Sequence, residues 1–172
     1  MGYPKTEKLL NEQINKELFS AYLYLAMSSY FNSKNLMGFE NWFFVQAQEE
    51  RDHALILYRY MHRINAKVVL TALETPEGDF KNVAEVLDKT LEHEQFITSS
   101  IYDIVDAATA ERDYKSVQML QWFVTEQAEE EENSTNLIEK LKLAGMGESG
   151  LFLMDKDLAA RVYVQAAPLA TP

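Results

Sequence analysis

Along most of the chain apolar residues recur at alternating three- and four-residue steps, the signature of helices with one buried face. The first such face runs through Leu10, Ile14, Glu17, Ala21, Tyr24, Ser28 and Phe31, with Thr6 as its N-cap and Glu7 as a first-turn acid. The polar break Asn32-Ser33-Lys34-Asn35 allows only a tight return, so the second helix, about 37 to 64, is expected antiparallel to the first. Its face is Phe39, Phe43, Gln46, Glu50, His53, Leu57, Tyr60 and Ile64. From Asn65 to Lys81 the period fails, and Thr75-Pro76-Glu77-Gly78-Asp79 is turn chemistry. Fully extended, this link reaches about 55 Å, more than the roughly 42 Å of the second helix, so it can carry the chain back along the bundle. The helices on either side of it can then run parallel.

Asn82 with Glu85 forms a capping box for a third helix, whose face is Val83, Leu87, Thr90, Glu94, Ile97, Ile101, Ile104 and Ala108. After the turn Glu111-Arg112-Asp113 a fourth helix carries Val117, Leu120, Val124, Gln127, Glu131, Ser134, Ile138 and Leu141, and Gly145 stops it. Leu151 to Leu158 makes a short fifth helix, and the Ala- and Pro-rich end is expected to be disordered. The predicted fold class is therefore all-α: a four-helix bundle with a long crossover between helices 2 and 3 and a short C-terminal fifth helix. One domain spans residues 1–162, and 163–172 form the tail.

Each of the four faces is interrupted by a polar side chain. Glu50 and His53 face inward together, and burying them unpaired would cost several kcal/mol, by the approximate desolvation penalty of a charge. A metal ion would neutralise them; a satisfied polar pair in a helical core is the competing reading of that stretch. With helix starts near residues 6, 38, 82 and 113, Glu17, Glu50, Glu94 and Gln127 lie 11, 12, 12 and 14 residues in, each close to a helix midpoint. Midpoints of aligned helices meet whichever way each helix runs, so these side chains and His53 are expected to converge on one interior metal site. Carboxylates with one imidazole suit iron, manganese or zinc, and a bridging carboxylate such as Glu50 favours two ions.

Composition narrows the partners. Sixteen basic against 27 acidic residues leave a formal charge of -11, which disfavours nucleic acid and anionic membranes and favours cations. There is no cysteine, which excludes thiolate ligands and cysteine nucleophiles and fits a reducing compartment, so a cytoplasmic protein is expected. Neither a signal peptide nor a membrane span is expected from the pattern.

Asn11-Glu12-Gln13-Ile14-Asn15-Lys16-Glu17, Ser20-Ala21-Tyr22-Leu23-Tyr24, Gln48-Glu49-Glu50 with His53, His93-Glu94, and Leu120 to Val124 running into Glu126-Gln127-Ala128-Glu129-Glu130-Glu131 carry a resemblance to the non-haem ferritins of bacteria and archaea. It extends from about Thr6 to Val162. The resemblance implies a ferritin-like bundle whose first iron is held by Glu17, Glu50 and His53, with Glu50 bridging to a second iron at Glu94 and Glu130, and Gln127 nearby. Tyr24 and Trp122 match aromatic positions beside the ferroxidase centre, although Trp122 could equally be a large side chain filling the bundle. His93 is expected to point away from the metals, and His62 to lie at the surface or an interface. Glu49, Glu126, Glu129 and Glu130 match a third iron site; a solvated helix face is the competing reading of the glutamate run.

Two departures qualify the likeness. Bacterioferritins repeat Glu-x-x-His on the fourth helix, where this chain has Gln127 and Glu130, and Asp52, not methionine, precedes His53, so no haem is implied. The resemblance implies iron storage and detoxification: Fe(II) is oxidised by O2 or peroxide and deposited as ferric mineral inside a homo-oligomeric shell of twenty-four subunits. The alternative is a di-iron oxygenase or peroxidase acting on an organic substrate.

Overall fold

The computed structural model describes residues 3–170. All regular elements among them are helices: α1 (Pro4–Ser33), α2 (Met37–Arg63), α3 (Val83–Ala110), α4 (Tyr114–Ala144), α5 (Glu148–Leu158) and the single turn α6 (Ala167–Ala170). Asn82 and Asp113 cap α3 and α4 through side chains that accept from the N–H groups of Glu85 (3.0 Å) and Ser116 (3.3 Å). Thr6, expected to cap α1, does not. Pro4 opens that helix, its fixed φ suiting the first helical position, and Thr6 falls inside the first turn. Its hydroxyl (2.7 Å) and the N–H groups of Thr6 (3.0 Å) and Lys5 (3.2 Å) donate to the Glu111 carboxylate. The start of α1 is thus capped from the α3–α4 turn, by an anion placed where the helix dipole favours one.

Three helices close in the same way. Asn35, Asn65 and Arg112 adopt φ of 56°, 58° and 60°, and the next residue donates back to the preceding turn: Leu36 to Phe31 (3.1 Å), Ala66 to Met61 (2.9 Å) and Asp113 to Ala108 (2.8 Å). The long crossover starts beside the beginning of α1, where the Asn11 side chain accepts from the Val69 N–H (2.7 Å) and donates to its carbonyl (3.0 Å). It finishes at the other end, where Phe80 packs edge-on against Tyr30 with ring centroids 5.3 Å apart. Asn11 and Tyr30 are about 28 Å apart along α1 at the helical rise, so α3 starts at the end where α2 started, and the two run parallel.

Helix α5 crosses the end of the bundle. Asp155 Oδ1 accepts from the N–H groups of Gly38 (2.7 Å) and Phe39 (3.0 Å), capping α2, and a Cβ on Gly38 would lie 1.6 Å from the Asp155 carbonyl oxygen. The chain beyond α5 departs from the expected disordered tail. The Arg161 guanidinium lies over the Trp42 ring at 4.3 Å, donates to the Trp42 carbonyl (3.2 Å) and pairs with Glu49. Tyr163 Oη (2.7 Å) and the Ala166 N–H (3.2 Å) both donate to Asp52, and Leu169 is buried in the core. These anchors are single side chains far apart in sequence, invisible to composition. Residues 171 and 172 lie outside the described residues.

The apolar interior has two parts. One gathers Tyr24, Phe31, Phe39, Phe43, Val86, Leu87, Leu141 and Met154; the other Leu10, Ile14, Leu57, Ile97, Ile101, Ile104, Leu120, Phe123 and Leu169. Between them lie the polar interruptions. On α4 the buried face is Ser116, Leu120, Phe123, Gln127, Glu130, Ser134, Leu137 and Leu141, so Glu130 points inward and the expected Glu131 is only partly covered. None of the described helices is long and apolar enough to cross a membrane.

Candidate metal centre

At the level between the two apolar parts, α1 contributes Glu17, α2 Glu50 and His53, α3 Glu94, and α4 Gln127 and Glu130; none is more than 4% exposed. One ligand atom each from Glu17, Glu50 and His53 lie within 4.8 Å of one another, and His53, Glu126 and Glu130 form a second such group, so the imidazole is shared by both. His53 Nδ1 is 3.3 Å from Glu50 Oε2. Glu94 stands outside both groups: its carboxylate accepts from the Tyr24 hydroxyl and from Gln127 Nε2 (3.2 Å). Gln46 Nε2 ties the halves together by donating to Glu50 Oε1 (3.1 Å) and Glu130 Oε2 (2.8 Å).

This much acid in so small a volume cannot all be ionised. Burial, and after it the charge of Glu50, push Glu17 up to about 8 and Glu94 up to about 8. Glu130 is raised well above the usual carboxylate range by burial and then by Glu94. Burial works against a charged His53, but Glu50 beside it prevails and raises it to about 10. Burial would likewise raise Glu50, yet His53 reverses this and lowers it. Without a cation, then, Glu50 and His53 compensate each other while Glu17 and Glu94 hold protons. The donor set fits a metal: the buried atoms Glu17 Oε2 and His53 Nδ1 have no hydrogen-bond partner, and carboxylates with one imidazole are ligands for iron, manganese or zinc.

The four residues of the expected third site are arranged unequally. A cavity of about 180 Å³ opens beside His53, lined by Glu49, Glu126, Glu129 and Glu130 and roofed by Arg161, Val164 and Ala166. Glu126 reaches inward with His53, Glu129 is exposed at the rim, and Glu49 pairs with Arg161. Tyr24 is fully buried on Glu94, and Trp122 lies edge-on to His53 with centroids 5.5 Å apart. His93 turns from the cluster to Ser20 Oγ (2.7 Å), and His62 is exposed against Tyr58.

The ferritin family pattern, described as "Ferritin-like domain", matches residues 7–144, which include Glu17, Glu50, His53, Glu94, Gln127 and Glu130. The chain belongs to the ferritin family. It is similar to the bacterial non-heme ferritin of Campylobacter jejuni, 44% identical over 149 residues that cover 87% of this chain and 89% of the relative. A probable bacterial non-heme ferritin-like protein of Haemophilus influenzae is 40% identical over 88% of this chain and 92% of its own length. Among solved structures, the open pore ferritin of the hyperthermophilic archaeon Archaeoglobus fulgidus superimposes with a TM-score of 0.90 at 40% identity, over 92% of this chain and 97% of that one. These agreements run through the helices that carry the centre, so the ferritin fold and the polar layer are covered by one match.

Sequence reasoning about this ferritin placed Gln46 on the inward face without giving it a role, and missed Gln13 and Arg161. Gln13 and Gln46 each precede an inward glutamate by four residues, a signal legible in Gln-x-x-x-Glu at helical spacing. Arg161 had no such signal, because it follows α5 and its partners Glu49 and Trp42 lie on α2, more than a hundred positions away.

Proposed function

We propose that this protein stores and detoxifies iron, oxidising Fe(II) at the paired site and passing Fe(III) into a shell built from copies of the chain, twenty-four by likeness to the family, in the cytoplasm. The observation that carries the reading is the buried layer in which all four helices bring carboxylates, an imidazole and an amide to one level, where a buried oxygen of Glu17 and a buried nitrogen of His53 have no hydrogen-bond partner. Glu17, Glu50 and His53 hold the first ion. Glu50 bridges to a second near Glu94, Glu130 and Gln127, and Glu49, Glu126 and Glu129 with Glu130 receive a third on its way out. The unit that does this is the bundle α1–α4 with α5 and the segment packed on it as far as Leu169.

Iron is the substrate here. Two Fe(II) ions give up one electron each to O2 or peroxide, and the carboxylates stabilise the higher charge of the product. The protein positions: Gln46 orients Glu50 and Glu130, Tyr24 and Gln127 orient Glu94, and the apolar clusters on both sides keep bulk water from the layer. The cavity beside His53 is lined by four carboxylates, which suits hydrated cations, and Tyr24 and Phe43 pack the interior with ring centroids 6.0 Å apart where an oxygenase would need room for an organic substrate. Adding Fe(II) without oxygen, then admitting O2 while following ferric absorbance and particle mass, tests the proposal. Soluble iron-loaded particles many times the mass of one chain are expected; a monomer that oxidises iron without retaining it would refute storage.

A further inference from the structure

Glu17 is gripped by a chain of side chains that begins near the surface. Lys16 Nζ donates to Ser100 Oγ, Ser100 Oγ donates to Gln13 Oε1 at 2.6 Å, and Gln13 Nε2 donates to Glu17 Oε1 at 2.8 Å. Gln13 and Ser100 are buried, so the chain is shielded from competing solvent. Its direction follows from the chemistry of its members. A lysine ammonium only donates, so Ser100 accepts from Lys16, and its one proton goes to Gln13. An amide whose oxygen is engaged in this way turns its NH2 group toward Glu17. Lys16, Gln13 and Glu17 all lie on α1, whereas Ser100 lies on α3, so the neighbouring helix decides which way the amide faces. The other carboxylate oxygen, Glu17 Oε2, is buried and has no hydrogen-bond partner.

We propose that Lys16, Ser100 and Gln13 are positioning residues that hold Glu17 by Oε1 and leave Oε2 as the atom offered to the metal ion. This rests on the reading of Glu17 as a ligand. The corresponding amide on α2 is held differently: Gln46 Nε2 donates to both Glu50 and Glu130 while Gln46 Oε1 has no partner, so its orientation is set by the two carboxylates and not by a donor behind it. Without Ser100 the Gln13 amide is free to rotate, and its oxygen facing a carboxylate would drive Glu17 out of place.

Calorimetric titration of the full-length assembled protein with Zn(II), a redox-inert probe, tests the idea independently of iron oxidation. Gln13→Leu and Ser100→Ala are expected to weaken the first Zn(II) about tenfold, the lower end for loss of a partner behind a ligand, and Ser100→Thr to restore it to within about twofold. Metal-free Ser100→Ala and Ser100→Thr should unfold at similar temperatures, which separates positioning from packing. Zn(II)-soaked crystals of the parent protein should show the ion on Glu17 Oε2 with Oε1 still on Gln13. Parent-like affinity in both Gln13→Leu and Ser100→Ala, alongside loss in Glu17→Gln, would overturn the relay. Unchanged affinity in Glu17→Gln would overturn the site beneath it.

Discussion

The first equivalent of metal should expel close to two protons at neutral pH, because two of the three ligands proposed for it hold protons in the metal-free protein. Glu17 at about 8 and His53 at about 10 are the two; Glu50, lowered by His53, carries none. At pH 7 a carboxyl at about 8 is roughly 90% protonated, and an imidazole at about 10 is almost fully so. By pH 9 the carboxyl retains about a tenth of a proton and the imidazole about nine tenths, so the release should fall to about one. Calorimetry of the first equivalent of Zn(II), repeated in buffers of different ionisation heat, counts these protons. Release of well under one proton at pH 7 would mean that the site is already ionised before metal enters, and would refute the charge assignment. The same shifts govern metal-free stability. Both pKa values are raised in the fold, so the contribution of Glu17 is complete below about 4.5 and lost as pH rises through about 8, and that of His53 is complete below about 6.5 and lost through about 10.

Three further outcomes follow from the geometry. Replacing Glu50 or His53 with Ala should slow iron oxidation more than about tenfold, at least as much as losing a partner behind a ligand, while circular dichroism and particle size stay unchanged; rapid oxidation in the Glu50 variant would contradict the site. Crystals soaked in Fe(II) should show three metal positions per subunit in the parent and two in Glu49→Ala or Glu126→Ala, and loss of all three together would argue against a separate third site. Arg112→Gly should raise the stability of the metal-free protein by about 1 kcal/mol in denaturant unfolding, since Arg112 sits at φ 60°, where a side chain is strained and glycine is not.

Much of this architecture is written in the helical period. Leu10, Ile14 and Glu17, or Glu94, Ile97 and Ile101, recur at three- and four-residue steps and so share one buried face, and the level shared by the four interruptions needed only helix starts and lengths. On α4 the period was ambiguous. Ser116 and Val117, Phe123 and Val124, and Leu137 and Ile138 are adjacent pairs that fit two faces about one residue apart, and four successive glutamates offer no contrast to choose between them. Packing chose the face with Glu130, since Phe123 and Leu137 fill the two apolar clusters. The fate of the C-terminal segment was illegible for another reason: Asp52 accepting from Tyr163 and Ala166 joins residues more than a hundred positions apart. Thr6 shows the same limit locally, because the partner that displaced its capping role, Glu111, comes from the far turn.

The division of the interior into two apolar halves bears on how the molecule comes apart. Each of α1 to α4 crosses both halves, so a helix fraying from one end surrenders one hydrophobic half and keeps its grip on the other. The carboxylate layer is the seam at which such fraying would pause, and a metal ion fastened there by several helices acts as a rivet through it. A metal ion bound there would do more than fill a site: it would couple two half-cores that, in the metal-free chain, meet across protonated acids and the Glu50–His53 pair. Slow amide exchange should accordingly spread from the two halves into the middle of every helix once metal is bound.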